Sequence, residues 1–81
     1  MITIRFFAML KNNVGKDEAN ISIPRQITLN ELKDILKIEF PSIKTFIDKN
    51  IMFSVNQEFA VSDTIIKDGD EVGLLPPFSG G

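Results

Sequence analysis

Apolar and polar residues alternate from the start of the chain. Ile2, Ile4, Phe6, Ala8 and Leu10 fall on one side and Thr3, Arg5, Phe7 and Met9 on the other, and a period of two sustained over residues 1–10 predicts a strand. Residues 11–20 are polar, with Asn12, Asn13 and Gly15 as turn formers. A second strand is predicted around Ile21 and Ile23, ended by Pro24, which has no N–H to give a ladder. Together the two runs predict a hairpin with a long loop. The period then changes to that of a helix. Thr28, Leu29, Asn30 and Glu31 fit a capping box, in which Thr28 and Glu31 satisfy the first amides reciprocally. Leu29, Leu32, Ile35, Leu36 and Phe40 follow at helical spacing until Pro41 stops the helix. Residues 42–50 predict a short turn or irregular helix that tucks in Ile43, Phe46 and Ile47. Ile51, Phe53 and Val55 mark a third strand, Asn56-Gln57 its turn, and Phe59 to Val61 a short fourth strand. Asp63 to Asp70 form a connection with a tight turn at Asp68-Gly69-Asp70, read as a glycine turn because the further oxygen ligands of a calcium loop are missing. The last strand is Glu71 to Leu75, with Val72 and Leu74 inward and Gly73 and Leu75 outward.

One hairpin face and one helix stripe suffice for a two-layer core. The order β-β-α-β-β-β predicts an α+β fold of the β-grasp kind, a mixed sheet of about five strands around one main helix, its first and last strands parallel neighbours at the centre. Residues 1–75 form the domain and 76–81 a tail. Composition fits: 81 residues, 43% hydrophobic and 25% charged, make one small core, in which most of the seven phenylalanines should take part. Cysteine and histidine are both absent, which removes disulfides, a zinc site, the thiolate nucleophile and the commonest general base. No catalytic pairing of carboxylates is evident either, so the chain is not expected to be an enzyme in its own right. The net charge of −2 is scattered, whereas nucleic acid selects basic stripes. The apolar runs are far shorter than the ~18 residues of a membrane span, and no signal peptide frames the start. The expected location is the cytoplasm.

The informative stretch follows Leu75: Pro76, Pro77, Phe78, Ser79, Gly80 and Gly81. The prolines end the sheet and stiffen the base of the tail. At roughly 3.3–3.6 Å per residue, the tail can reach into a partner's active site, and its glycines fit a narrow channel. The expected working group is the main-chain carboxylate of Gly81. A terminal carboxylate, with a pKa of about 3.3–3.7, is ionised and a poor electrophile until activated. The chain has no GxxxxGK loop, so ATP would be used by a partner enzyme, with no cofactor or metal bound here.

These residues resemble a known family. Ile2-Thr3-Ile4-Arg5-Phe6-Phe7-Ala8, Val14-Gly15, Val55-Asn56-Gln57, Asp68-Gly69-Asp70-Glu71-Val72, Pro76-Pro77 and Gly80-Gly81 are similar to the small, sulfur-carrying subunit of molybdopterin synthase (the MoaD family), which is ubiquitin-like. The proline pair favours it over the thiazole-pathway sulfur carriers. The resemblance implies adenylation of Gly81 by an E1-like enzyme, conversion to a thiocarboxylate with sulfur from a persulfide donor, and docking on the large synthase subunit in a heterotetramer. Sulfur is then donated to cyclic pyranopterin monophosphate to build the molybdopterin dithiolene. It further implies docking through Phe7, Phe59 and Leu75, and tail insertion through Pro76, Pro77, Phe78, Ser79 and Gly80. Leu74-Leu75 stands where the family often has aromatics, and Phe78 where a smaller aliphatic is common. Alternation independently sets Phe7 and Leu75 on one outer face, where a contiguous apolar patch marks an interface. The alternatives are a ubiquitin-like protein modifier joined through Gly81, a thiazole-type carrier, and a plain interaction module.

Overall fold

The computed structural model describes residues 1–49 and 51–76. In chain order the elements are strand β1 (Ile2–Phe6), helix α1 (Met9–Val14), β2 (Glu18–Ile21), β3 (Ile27–Thr28), helix α2 (Leu29–Glu39), a 3-10 turn (Pro41–Ile43), helix α3 (Lys44–Lys49), β4 (Met52–Val55), β5 (Glu58–Phe59), β6 (Ile65–Ile66) and β7 (Glu71–Leu75). Five strands form one mixed sheet in the order β2-β1-β7-β4-β5. The parallel pair is β1 with β7, Ile4 beside Val72 and Phe6 beside Leu74, as the β-grasp element order predicts. The other neighbours are antiparallel.

The inner face carries Ile2, Ile4, Phe6, Phe53, Val72 and Leu74, and Leu29, Leu32 and Leu36 of α2 are buried with them in one core. Ile43 and Ile47 complete the core from the segment after Pro41, and Phe46 packs against it. Of the phenylalanines, Phe6 and Phe53 are buried, and Phe40 meets Phe6 edge-on at 5.0 Å between centroids.

Helix α2 begins as the sequence predicts. Glu31 N–H donates to Thr28 Oγ1 at 3.2 Å, and Thr28 N–H donates to Glu31 Oε1 at 3.0 Å. The Thr28 amide, joined by Arg25 at 3.0 Å, holds the Glu31 carboxyl below the usual carboxylate range. Its stabilising contribution is therefore complete above the unfolded value of about 4.3 and is lost as pH falls through the lower folded value. Urea unfolding across a pH series should show a steeper acid loss for the unsubstituted chain than for Glu31→Gln.

Several expectations need correction. The first strand does not run to Leu10: it ends at Phe6, Ala8 turns the chain with φ 52°, and Met9–Val14 is helical. Leu10 and Val14 are four apart, so a helical turn directs both inward, Leu10 fully. Gly15, at φ 90°, closes that helix with its N–H on the Lys11 carbonyl at 2.9 Å. The predicted loop over residues 11–20 thus holds helix to Val14 and strand from Glu18, and the second strand is Glu18–Ile21, stopping short of Ile23. The fourth strand is Glu58–Phe59, shorter than residues 59–61, because the Val61 N–H leaves the ladder to bond Thr64 Oγ1 at 2.9 Å. Finally, β3 and β6 pair in a separate two-stranded sheet, Ile27 opposite Ile66, which the sequence reading did not anticipate.

Candidate functional site

The period that buries Phe6, Val72 and Leu74 sends Phe7, Gly73 and Leu75 to the opposite face of the sheet. Phe7 lies just beyond β1, its N–H reaching the Leu74 carbonyl at 3.3 Å. Register sets Met52 opposite Leu75, Gly73 opposite Ser54, and Ser54 opposite Phe59. Phe7 is 41% and Phe59 75% exposed, while Leu75 is half-buried. The three predicted docking residues come together: Phe7, Phe59 and Leu75, with Ser54 and Gln57, line one depression of about 230 Å³.

A second depression of about 380 Å³ adjoins it, lined by Arg5, Phe7, Ser54, Gln57, Glu71 and Gly73. Gly73 forms its floor. A Cβ there would stand 2.6 Å from Ser54 Oγ and 3.3 Å from Phe7 Cε2, so the missing side chain opens the groove. Phe7, Ser54 and Gln57 belong to both depressions. The result is one groove with a polar end, where Arg5 Nε lies 3.4 Å from Glu71 Oε2, and an apolar end at the root of the tail. Pro76 follows Leu75 directly, whereas Pro77, Phe78, Ser79, Gly80 and Gly81 lie outside the described residues.

Behind the groove lies a latch that sequence reasoning missed. Asp70 is only 6% exposed. Its carboxylate accepts from Asn56 Nδ2 at 3.0 Å and from the Lys67 N–H at 2.9 Å. Asn56 in turn accepts from the Glu71 N–H at 3.0 Å through Oδ1 and donates its own N–H to the Glu71 carbonyl at 2.8 Å. The turn after β4 is thereby tied to the head of β7, which carries the tail. Gly69, at φ 90°, makes the tight turn the sequence predicts. Among the described residues no group of three His, Cys, Asp or Glu side chains is placed to hold a metal ion, and no helix is long and apolar enough to cross a membrane.

A mixed sheet folded about one helix, with a parallel central pair and an apolar seat where the last strand ends, defines a small ubiquitin-like β-grasp protein. The chain belongs to the ThiS family, whose profile matches residues 4–81. A molybdopterin synthase sulfur carrier subunit of Dictyostelium discoideum is 36% identical, over 96% of this chain and 93% of the relative. Among solved structures, SAMP1 from Haloferax volcanii superposes with a TM-score of 0.86 at 25% identity, covering 99% of this chain and 98% of that one. A chain of the complex of subunits 1 and 2 of molybdopterin-converting factor from Helicobacter pylori does so with a TM-score of 0.70 at 28% identity, covering 99% and 97%. The family resemblance drawn from the sequence is upheld.

Proposed function

We propose that this chain is the sulfur carrier subunit of a molybdopterin synthase. The observation that carries the reading is the apolar seat of Phe7, Phe59 and Leu75 at the root of the tail, in a chain whose curated relatives are named as such subunits. The Gly81 carboxylate is the working group. An E1-like enzyme joins it to AMP at the expense of ATP, releasing pyrophosphate. The terminal sulfur of a persulfide donor displaces AMP to give an acyl disulfide. A second thiol then attacks the donor's sulfur, breaking the S–S bond to release the thiocarboxylate and leave the donor as a disulfide. The seat docks on the large subunit, residues 76–80 thread the arm into its active site, and the sulfur passes to cyclic pyranopterin monophosphate. Water returns Gly81 to a carboxylate. Two carriers and two large subunits form the heterotetramer, in the cytoplasm.

The division of labour has a physical basis. Apolar contact gives affinity without direction, so the seat holds the carrier while the arm delivers a group whose reactivity was installed elsewhere. The test is intact mass after incubation with the activating enzyme, ATP and a persulfide donor. The expected gain is the difference between one sulfur and one oxygen, confined to the fragment holding Gly81. An unchanged mass under conditions that consume ATP overturns the proposal. A second reading, a protein modifier joined through Gly81, is favoured by the likeness to a small archaeal modifier protein. It requires covalent ladders of the chain on denaturing gels of cell extract.

A further inference from the structure

Gln57 occupies a backbone position that favours glycine. β4 and β5 are joined by a two-residue turn, Val55 opposite Glu58, in which Asn56 (φ 51°) and Gln57 (φ 71°) both have positive φ. Positive φ at both central residues is the pattern of a type I′ turn, whose second central position prefers glycine because a Cβ crowds the following carbonyl there. Asn56 suits its place, since asparagine tolerates this region and its amide is engaged by Asp70 and Glu71. For Gln57 no such bond exists: among the described residues its carboxamide is not hydrogen-bonded, and the residue is exposed. Yet it lines both depressions of the groove, where the polar end meets the apolar one. Strain retained where glycine would remove it points to a side chain used outside the fold.

We propose that the Gln57 carboxamide is a recognition group for the large synthase subunit. It exchanges hydrogen bonds with polar groups that this partner sets over the groove, and so fixes the orientation in which the arm is threaded. The inference rests on the sulfur-carrier reading. Whatever receives the arm beyond Pro76 must cover the surface around Leu75 and Phe7, and Gln57 lines that same depression. A carboxamide offers two donors and an acceptor without charge, which suits a surface that is desolvated on docking, where an unpaired charge would be costly. Phe7, Phe59 and Leu75 supply contact area, and Gln57 supplies direction.

Two variants test this by thermal melting and by titration calorimetry against the cognate large subunit. Gln57→Gly relieves the turn, so its midpoint should rise by about 4 °C even after allowing for glycine's extra freedom when unfolded. Its Kd should nevertheless weaken about tenfold, because the partner's groups lose their counterpart. Gln57→Ala keeps the strained backbone, and should melt with the unsubstituted chain while binding about tenfold more weakly. A gain in stability with a loss of binding is an outcome that a merely structural glutamine cannot produce. Unchanged binding in either variant, or a lower midpoint for Gln57→Gly, overturns the role of Gln57 alone. If the unsubstituted chain forms no complex, the sulfur-carrier reading falls and this inference falls with it.

Discussion

Deletion of Gly81 is expected to reduce molybdopterin formation to background while leaving the melting temperature unchanged. Among the described residues the buried core is assembled between Ile2 and Leu74, and the fold is expected to form without the last residue. The chemistry, in the proposed function, depends on it entirely. Removing one residue withdraws the reactive carbonyl by up to roughly 3.3–3.6 Å, whereas a misplacement of about 1 Å can already cost a hundredfold in rate. In the proposed docking the seat would not compensate, because contact at Phe7, Phe59 and Leu75 would fix the arm's origin. The measurement is product formation by the reconstituted synthase, with the deletion variant taken through the same activation step. Two further readouts divide the cause. Binding of the variant to the large subunit should persist, since the seat is intact, and the mass gain on activation should be lost or much reduced. Full activity in the deletion variant would remove Gly81 from the mechanism.

The parts of the fold that could be read from the sequence are those where neighbouring residues decide the outcome. Helix α2 is one: cap, stripe and stop all lie within a few residues of each other, and the capping bonds form as the box requires. The face assignment of β7 is another, because alternation alone puts Val72 and Leu74 inside. Where two local rules agree on the same residue, the reading fails. Leu10 satisfies the strand alternation of residues 2–10, and it also satisfies the four-residue spacing to Val14, which wins once Ala8 turns the chain. The pair β3 and β6 is hidden for a different reason. Each is two residues long, too short for any period, and each is a strand only because the other is there.

The candidate site divides the same way. Phe7 and Leu75 were visible as outward residues on strands expected to be neighbours, and Phe59 entered through the family resemblance. The groove between them was not visible. It depends on register, which sets Gly73 against Ser54, and a glycine in a strand gives no sign of which neighbour would crowd its missing Cβ. Gln57 reads in the sequence as half of a turn, and only the positive φ shows that the turn would prefer another residue. The sheet is closed by contacts between residues far apart in the chain, so the site is a property of the tertiary fold.

Asp70→Ala is expected to be the most destabilising of the surface-adjacent substitutions, at about 2–4 kcal/mol. Asp70 reads in the sequence as an ordinary turn residue, yet it is 6% exposed and accepts two hydrogen bonds. Truncation leaves the part-buried Lys67 N–H and Asn56 amide without their acceptor, each costing toward the lower end of the about 1–3 kcal/mol of an orphaned donor, in addition to the lost packing of the buried Asp70 side chain. For a domain of this length the midpoint should fall by well over about 10 °C. Asp70→Asn discriminates between lost volume and lost acceptors. It keeps the shape but replaces one acceptor oxygen with a donor, which must face the Lys67 N–H or Asn56 Nδ2, so it too should be destabilising. If Asp70→Asn is neutral, the carboxylate is not acting as a double acceptor. A double-mutant cycle with Asn56→Gly then isolates the latch, because glycine accepts the positive φ of that position while removing its amide. Coupling of about 1 kcal/mol or more is expected, against the few tenths seen for independent sites. The consequence reaches the groove. Without the Asp70 carboxylate the Asn56 side chain loses one of its anchors, and the turn bearing Gln57 is held to the head of β7 only by the Asn56–Glu71 bonds and the strand ladder. Under the proposed function, Asp70→Ala should therefore weaken docking on the large subunit although Asp70 is buried.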